Sequence, residues 1–378
     1  MKVVHINWTL VYGGIETMLV NIANEQAMQG ADVSVVIIND YIKEELTERL
    51  SSDINLILMK RKPSSRSFAF IKKLNSILTD IDPDVIHIHD GAIFDVLDSH
   101  WAKSRQTLVC LTAHALPIGN FGSPLWPVRI LQKMLFNSLG NMHNVNRVNK
   151  VFAISKSVAK AMKEQYGVDS AVVCNGIIPQ RFEQRESKMY DEQLRIVQVS
   201  RLFHVEKGQD LLLGAARILA QEGCCLKIDF IGDGQSREYL ENMAREYGIG
   251  NQVTFLGTQS QEYVMSHLKD YDLFVQPSRF EGFGLTVAEA MAANVPVLVS
   301  TGQGPAEVTE GDRYGWVFDC GDENSLANRI KIIINNYGEC TAKAEKARIY
   351  VAANYDVKVT AHRYLELYNE ALNIKLHP

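Results

Sequence analysis

Short apolar runs recur along the chain, each closed by a turn residue and followed by a longer stretch whose apolar positions return at helical spacing. KVVHI at residues 2–6 leads to IETMLVNIANEQAMQG, where Ile15, Leu19, Ile22 and Ala23 share one helical face, and Gly30 stops that helix before DVSVVII at 32–38. DVIHIH (84–89), TLVCLTAH (107–114), KVFAIS (150–155), the helix KSVAKAMKEQYG and AVVCNG (171–176) continue the alternation. It restarts at LRIVQVS (194–200) and passes through the helix QDLLLGAARILAQEG, CLKIDFIGDG (225–234), QVTFLG (252–257), the helix QEYVMSHLKDYD, LFVQP (273–277) and VPVLVS (295–300). Strands alternating with helices predict parallel sheets covered on their faces, an α/β fold. Between the two series lies GIIPQRFEQRESKMYDEQ (176–193), polar, charged and broken by Pro179, which reads as an interdomain linker. SLANRIKIIINN and KVTAHRYLELYNEALNIK near the C-terminus read as amphipathic helices, the last able to dock back across to the first domain.

Length supports the two series as two domains, because 378 residues exceed what one core usually holds. With 46% hydrophobic and 22% charged residues the chain is globular, and a net charge of −5 argues against a general nucleic-acid binder. Cys110, Cys174, Cys224, Cys225, Cys320 and Cys340 form no CxxC pair and have no histidines at zinc-like spacing, so reduced thiols in a cytoplasmic protein are expected. MKVVHINW reads as a first strand and not a leader peptide, and no apolar run reaches the ~20 residues needed to span a bilayer.

In open parallel sheets ligands bind beyond the carboxyl ends of the strands, so the strand ends hold the candidate chemistry. The stretch 277–308, PSRFEGFGLTVAEAMAANVPVLVSTGQGPAEV, joins a strand end to a glycine-punctuated turn, a helix and a second strand. Glu281 is a loop carboxylate and Glu289 a carboxylate in the first two turns of the helix; Gly282 and Gly284 let backbone N–H groups approach an anion such as a diphosphate. Thr286-x-x-Glu289 also has the form of a capping box, a purely structural role. Arg201 at a strand end and Lys207 before Gly208 suit a phosphate-bearing ligand or are two surface cations. His114, at the end of TLVCLTAH, is either a site residue or a strand-end histidine bonded to a nearby carbonyl.

Other features weigh less. Gly13-Gly14 lack the GxGxxG spacing of a dinucleotide site, which disfavours a dehydrogenase. His87 and His89 share a strand face, but a metal would need further ligands that the sequence does not supply. Asp80-x-Asp82 sits in a turn ahead of a strand, at the wrong edge for a metal motif. The tract with Lys60, Arg61, Lys62, Arg66, Lys72 and Lys73 reads as a solvated positive face in preference to a lipid or acidic-acceptor site. Residues 116–143, with Phe121, Trp126 and Phe136, read as core under a lid in preference to an apolar surface for an acceptor or a membrane.

Taken in order, GGIET, DVIHIH, SRLFHVEKG, IGDG, SRFEGFGLTVAEAMA and VPVLVSTGQGPAEV resemble the motifs of the retaining, nucleotide-sugar-dependent glycosyltransferases of family four, the group 1 type. The resemblance covers nearly the whole chain and implies the GT-B fold, two Rossmann-like domains facing each other across a deep cleft. It implies an acceptor-side domain of residues 1–176 plus 358–378 and a nucleotide-sugar domain of 177–357. By the same resemblance Arg201 and Lys207 grip the donor diphosphate, Glu281 lies near the donor sugar, Glu289 lies on the ribose, and His114 lies near the transferred sugar. Gly13, Gly14, Gly232 and the backbone of Phe283, Gly284, Leu285 and Thr286 complete the donor site, and Glu307 matches an acidic residue beyond the motif. Ile178, Ala293-Asn294 and residues 301–304 depart from the family pattern, which leaves the donor open.

The expected reaction is transfer to a hydroxyl of a glycan or lipid-linked acceptor in polysaccharide, lipopolysaccharide or glycolipid assembly, with no metal and no cofactor beyond the nucleotide-sugar co-substrate. If 116–143 is an exposed apolar surface, peripheral contact with the inner face of the plasma membrane follows. A sugar phosphorylase or nucleotide-sugar epimerase on the same fold, or a non-catalytic sugar-nucleotide binder, stands as the alternative.

Overall fold

The computed structural model describes all residues except 12, 63, 66, 91–92, 94–95, 115–147, 187–188, 190–192 and 377–378. Two compact units make up the chain, Met1–Gly176 with Val357–Pro378, and Ile177–Asp356. The return to the first unit thus begins at Val357, one residue before the expected place.

Unit 1 holds a seven-stranded sheet built from β1 (Lys2–Asn7), β2 (Asp32–Asn39), β3 (Asn55–Arg61), β4 (Val85–Ile88), β5 (Leu108–Ala113), β6 (Lys150–Ala153) and β7 (Ala171–Val172). Its spatial order is β3-β2-β1-β4-β5-β6-β7, and every neighbouring pair is parallel. Five of six β1 residues are buried, as helices on both faces require, so the strand reads as an apolar run rather than an alternation. Leu19, Val20 and Ala23 of helix Gly14–Met28 pack with Val33, Val35 and Ile37 of β2 in one core cluster. The last helix, Val357–Leu376, belongs to this unit, where Tyr364 and Tyr368 are fully buried.

Unit 2 repeats the plan with β8 (Leu194–Val199), β9 (Leu226–Ile231), β10 (Val253–Gly257), β11 (Leu273–Gln276), β12 (Val297–Ser300) and β13 (Trp316–Phe318), in the order β10-β9-β8-β11-β12-β13. The strand order reverses between β8 and β11, so the loop that leaves β8 lies beside the loop that leaves β11. That juxtaposition is the topological switch point at which such sheets bind ligands.

Three sequence expectations change. In the expected linker 176–193, the described residues from Ile177 onward belong to unit 2: Pro179–Arg181 form a helical turn, and Arg185 is buried within that unit. Its guanidinium donates to Asp272 at 2.8 Å, its backbone N–H donates to Ala293 O at 2.7 Å, and Asn294 Nδ2 donates to its carbonyl at 2.8 Å. A polar composition concealed a segment held by buried polar contacts. Second, the basic tract is mixed: Lys60, Lys62, Lys72 and Lys73 are exposed, but Arg61 ends β3, donates to Asn39 and Ser65, and lies 4.7 Å from the Phe70 ring centroid. Third, helix Tyr337–Asn354 and strands β3 and β13 had no sequence prediction; that helix is Ala-rich with a weak apolar stripe. Arg66 and residues 116–143 lie outside the described residues.

Removing one partner of a buried ion pair leaves the other charge stranded, at a cost of about 3–5 kcal/mol. Arg185→Ala is therefore expected to lower unfolding stability by that order in urea titration; a change within about 0.5 kcal/mol, the range of surface substitutions, would return the segment around Arg185 to linker status.

Candidate active site

Lys207 and Glu281 meet at the switch point of unit 2. Lys207 Nζ donates to Glu281 Oε2 at 2.7 Å, and the two side chains are only 17% and 22% exposed. Lys207 ends the short helix His204–Lys207, and Gly208 follows at φ +68, where a Cβ would stand 2.0 Å from Pro277 O. Only glycine permits that approach, which brings the β8 loop against the end of β11. Arg279 locks the two loops in register: its guanidinium donates to both oxygens of Asp210 at 2.9 and 2.8 Å and to His204 O at 2.9 Å. The backbone N–H groups of Arg279 and Phe280 both donate to Glu206 O.

Two buried glutamines hold the floor. Gln198 Nε2 donates to Lys207 O at 2.9 Å, and Gln209 Nε2 donates to Arg201 O at 3.0 Å. Arg201 itself is exposed and donates to Glu206 Oε2 at 3.2 Å, an open pair that competes weakly with any anion. Gly232, at φ +131, abuts Ser200 O with room for no Cβ, so its loop touches the strand end that carries Arg201. Beyond Glu281, whose backbone N–H donates to Gln303 Oε1 at 3.1 Å, Gly304 N–H donates to Glu281 O at 3.0 Å.

Helix Leu285–Ala292 starts from Gly284 at φ +99, which packs on Pro305. Its first N–H groups have no carbonyl within the helix to bond, and helix termini of this kind favour anions. Phe283 contributes backbone only, since its ring is buried edge-on to Tyr355. Glu307 lies in helix Gly304–Val308. Sequence reasoning missed Gln198, Gln209, Arg279 and Gln303, whose role is to aim the other residues; the one available signal was the position of Arg279, two residues before Glu281 in SRFEG.

Unit 1 places its own candidates along one sheet edge. Gly13 and Gly14 open helix Gly14–Met28 after β1, with Gly13 extended at φ −168. His114 follows β5 directly. Among the described residues its partner is not a carbonyl but a ring, with His89 Nδ1 3.1 Å from its Nε2. His5 joins His87 and His89, so the pair has the third neighbour that the sequence did not reveal. Asp82, in the dismissed Asp80-x-Asp82 motif, ends helix Ala69–Ile81 in the left-handed region.

Two family profiles together match residues 12–350, one described as Glycosyltransferase Family 4 over residues 12–181 and one as Glycosyl transferases group 1 over residues 179–350. The chain belongs to the group 1 glycosyltransferases. An uncharacterized glycosyltransferase of Haemophilus influenzae is 24% identical over 89% of this chain and 91% of its own. The amylovoran biosynthesis glycosyltransferase AmsK of Erwinia amylovora is 27% identical over 51% of this chain and 48% of its own. In fold, the chain is similar to Anabaena HepE, crystallised in complex with UDP-glucose, with a TM-score of 0.75 at 19% identity over 98% of this chain and 100% of that one. The architecture is accordingly GT-B.

Glu289, a candidate site residue, is perturbed by its surroundings. It lies in the second turn of helix Leu285–Ala292, half-buried, and desolvation raises its carboxyl to about 7. The capping box is not formed: Gly284 occupies the cap, Thr286 lies inside the helix, and no side chain caps it. A capping carboxylate would be held low by its hydrogen bond to N–H, whereas this one is raised by burial.

A carboxyl whose pKa is raised on folding favours the folded state while protonated, and that contribution is lost as pH climbs from its unfolded value through about 7. Glu289→Gln removes the loss. Relative to the unmodified protein, its melting temperature is expected to rise between pH 5 and pH 8; a difference that is flat with pH contradicts the raised carboxyl pKa.

Proposed function

We propose that the protein is a retaining glycosyltransferase that moves a sugar from a nucleoside-diphosphate donor to a hydroxyl of a glycan or lipid-linked acceptor. The single observation that carries the reading is the paired Lys207 and Glu281 at the switch point, flanked by Arg201 and by the helix start at Leu285. Cations and backbone N–H groups there suit a diphosphate, and Glu281 suits a sugar hydroxyl beside it. In this reading Glu289 accepts from the ribose, and His114 of unit 1 hydrogen-bonds the transferred sugar. The UDP-glucose complex of Anabaena HepE and the amylovoran biosynthesis role of the Erwinia relative support a donor and an acceptor of these classes.

In the reaction, the bond from the anomeric carbon to the diphosphate oxygen breaks while the acceptor oxygen bonds to that carbon on the same face. The hydroxyl proton passes to the leaving phosphate. Lys207 and Arg201 oppose the charge that grows on the diphosphate, the kind of preorganised electrostatics that often dominates rate. Because two cations serve the phosphates, the reading assigns no divalent metal and no further cofactor.

Arg201→Ala and Lys207→Ala are each expected to lower kcat by about two to three orders of magnitude with an unchanged circular dichroism spectrum; wild-type turnover in both would remove the phosphate role. The class is tested by nucleoside diphosphate release with a panel of nucleotide sugars, assayed with and without a hydroxyl acceptor and with EDTA. Release that requires the acceptor, survives EDTA and yields a product of the donor's anomeric configuration is expected. Sugar phosphate formed from inorganic phosphate, or an inverted product, would overturn the reading.

A further inference from the structure

Three buried imidazoles in unit 1, those of His5, His87 and His89, lie inward of His114. His5 of β1 stands opposite His87 of β4 in the parallel register, and His89 follows just beyond β4. Gln26, from helix Gly14–Met28, closes one end of the line. His5 Nε2 is 2.7 Å from Gln26 Oε1, His5 Nδ1 is 3.0 Å from His89 Nε2, and His89 Nδ1 is 3.1 Å from His114 Nε2. His5 and Gln26 are fully buried and His89 nearly so. His87 forms a side branch, with Nδ1 2.5 Å from the Tyr368 hydroxyl and Nε2 2.7 Å from Thr112 Oγ1. Desolvation lowers all four imidazole pKa values, His5 to about 4 and His114 to about 3, so the rings are neutral at physiological pH.

A neutral imidazole carries one N–H and one lone pair, so in a chain of such rings the direction of one hydrogen bond sets all the others. The Gln26 carbonyl oxygen can only accept. His5 then donates from Nε2 and accepts at Nδ1, where His89 donates from its own Nε2. His89 Nδ1 accepts in turn from His114 Nε2, and His114 Nδ1 is left with its lone pair. In this orientation Gln26 Nε2 faces the Tyr368 hydroxyl without a full hydrogen bond.

We propose that Gln26, His5 and His89 form a tautomer-setting relay whose output is a lone pair on His114 Nδ1, presented to a hydroxyl of the transferred sugar. The second half rests on the reading of His114 given above; His5 and His89 are positioning residues that act through it. His5, His87 and His89 also bring one nitrogen each within 4.8 Å of the others, close enough to share an ion. Since each of their six ring nitrogens already faces a polar partner, the relay and a bound metal exclude each other.

Long-range nitrogen–proton NMR of the histidine rings in the full chain, at neutral pH, tests the relay. Single Nε2–H tautomers are expected for His5, His89 and His114. His89→Gln keeps one donor and one acceptor in place and is expected to retain the His114 tautomer. His89→Phe cuts the line, and is expected to leave His114 a tautomeric mixture and to lower kcat about tenfold, the equivalent of one hydrogen bond, with donor KM little changed. An Nδ1–H form or a mixture at His114 in the unmodified protein, an unaltered His114 in His89→Phe, or stoichiometric metal on these rings would each overturn the relay. Should His89→Phe not fold, the spectrum of the unmodified protein still decides. His114→Ala separates the two readings: full activity there removes the sugar contact, while the tautomer pattern judges the relay independently.

Discussion

The ion pair between Lys207 and Glu281 is the constraint around which unit 2 is arranged. Both groups are largely shielded from water, and withdrawing two charges from water costs several kcal/mol per ion unless geometry and further hydrogen bonds offset it. The offset is visible in the neighbours: Gln198 holds the Lys207 carbonyl, Gln303 meets the Glu281 N–H, and the Arg279–Asp210 fork ties the two loops together. Under the proposed donor binding, an arrangement this braced costs little reorganisation, because Lys207 exchanges one anionic partner for another.

Unit 1 solves a different problem with neutral groups. Its sheet buries three histidines whose polar atoms must be satisfied, and it does so by bonding them to one another, to Gln26 and to hydroxyls of the last helix. The returning helix Val357–Leu376 is therefore tied to the strands by Tyr364 and Tyr368 through Thr112 and His87. Burial that would normally penalise imidazole also fixes its charge state, and the network gives the sheet edge at His114 one defined polarity.

Apolar runs and glycine turns made the α/β alternation, the two-unit division and the strand ends readable, because parallel strands must be buried on both faces. The positions of Arg201, Lys207 and Glu281 beyond β8 and β11, and of Glu289 in the helix that follows, were readable for the same reason. What was not readable depends on contacts distant in sequence. Lys207 and Glu281 are 74 positions apart, and His5 lies 84 positions from His89, so no local spacing announces either pair. Arg185 looked like part of a polar linker because its partner, Asp272, is equally remote. Thr286 misled in the opposite sense: its spacing to Glu289 fits a capping box, but the positive φ of Gly284 starts the helix two residues earlier.

The central claim is that Lys207 trades Glu281 for a phosphate. Calorimetric titration of UDP into the unmodified protein, Lys207→Met and Glu281→Gln tests it most directly. Loss of a charge-assisted contact of about 1.5–3 kcal/mol should weaken UDP binding by about ten- to a hundredfold in Lys207→Met. Glu281→Gln, which frees the same ammonium, is expected to bind UDP at least as tightly as the unmodified protein. Equal weakening in both variants would contradict the exchange and make the pair a purely structural one.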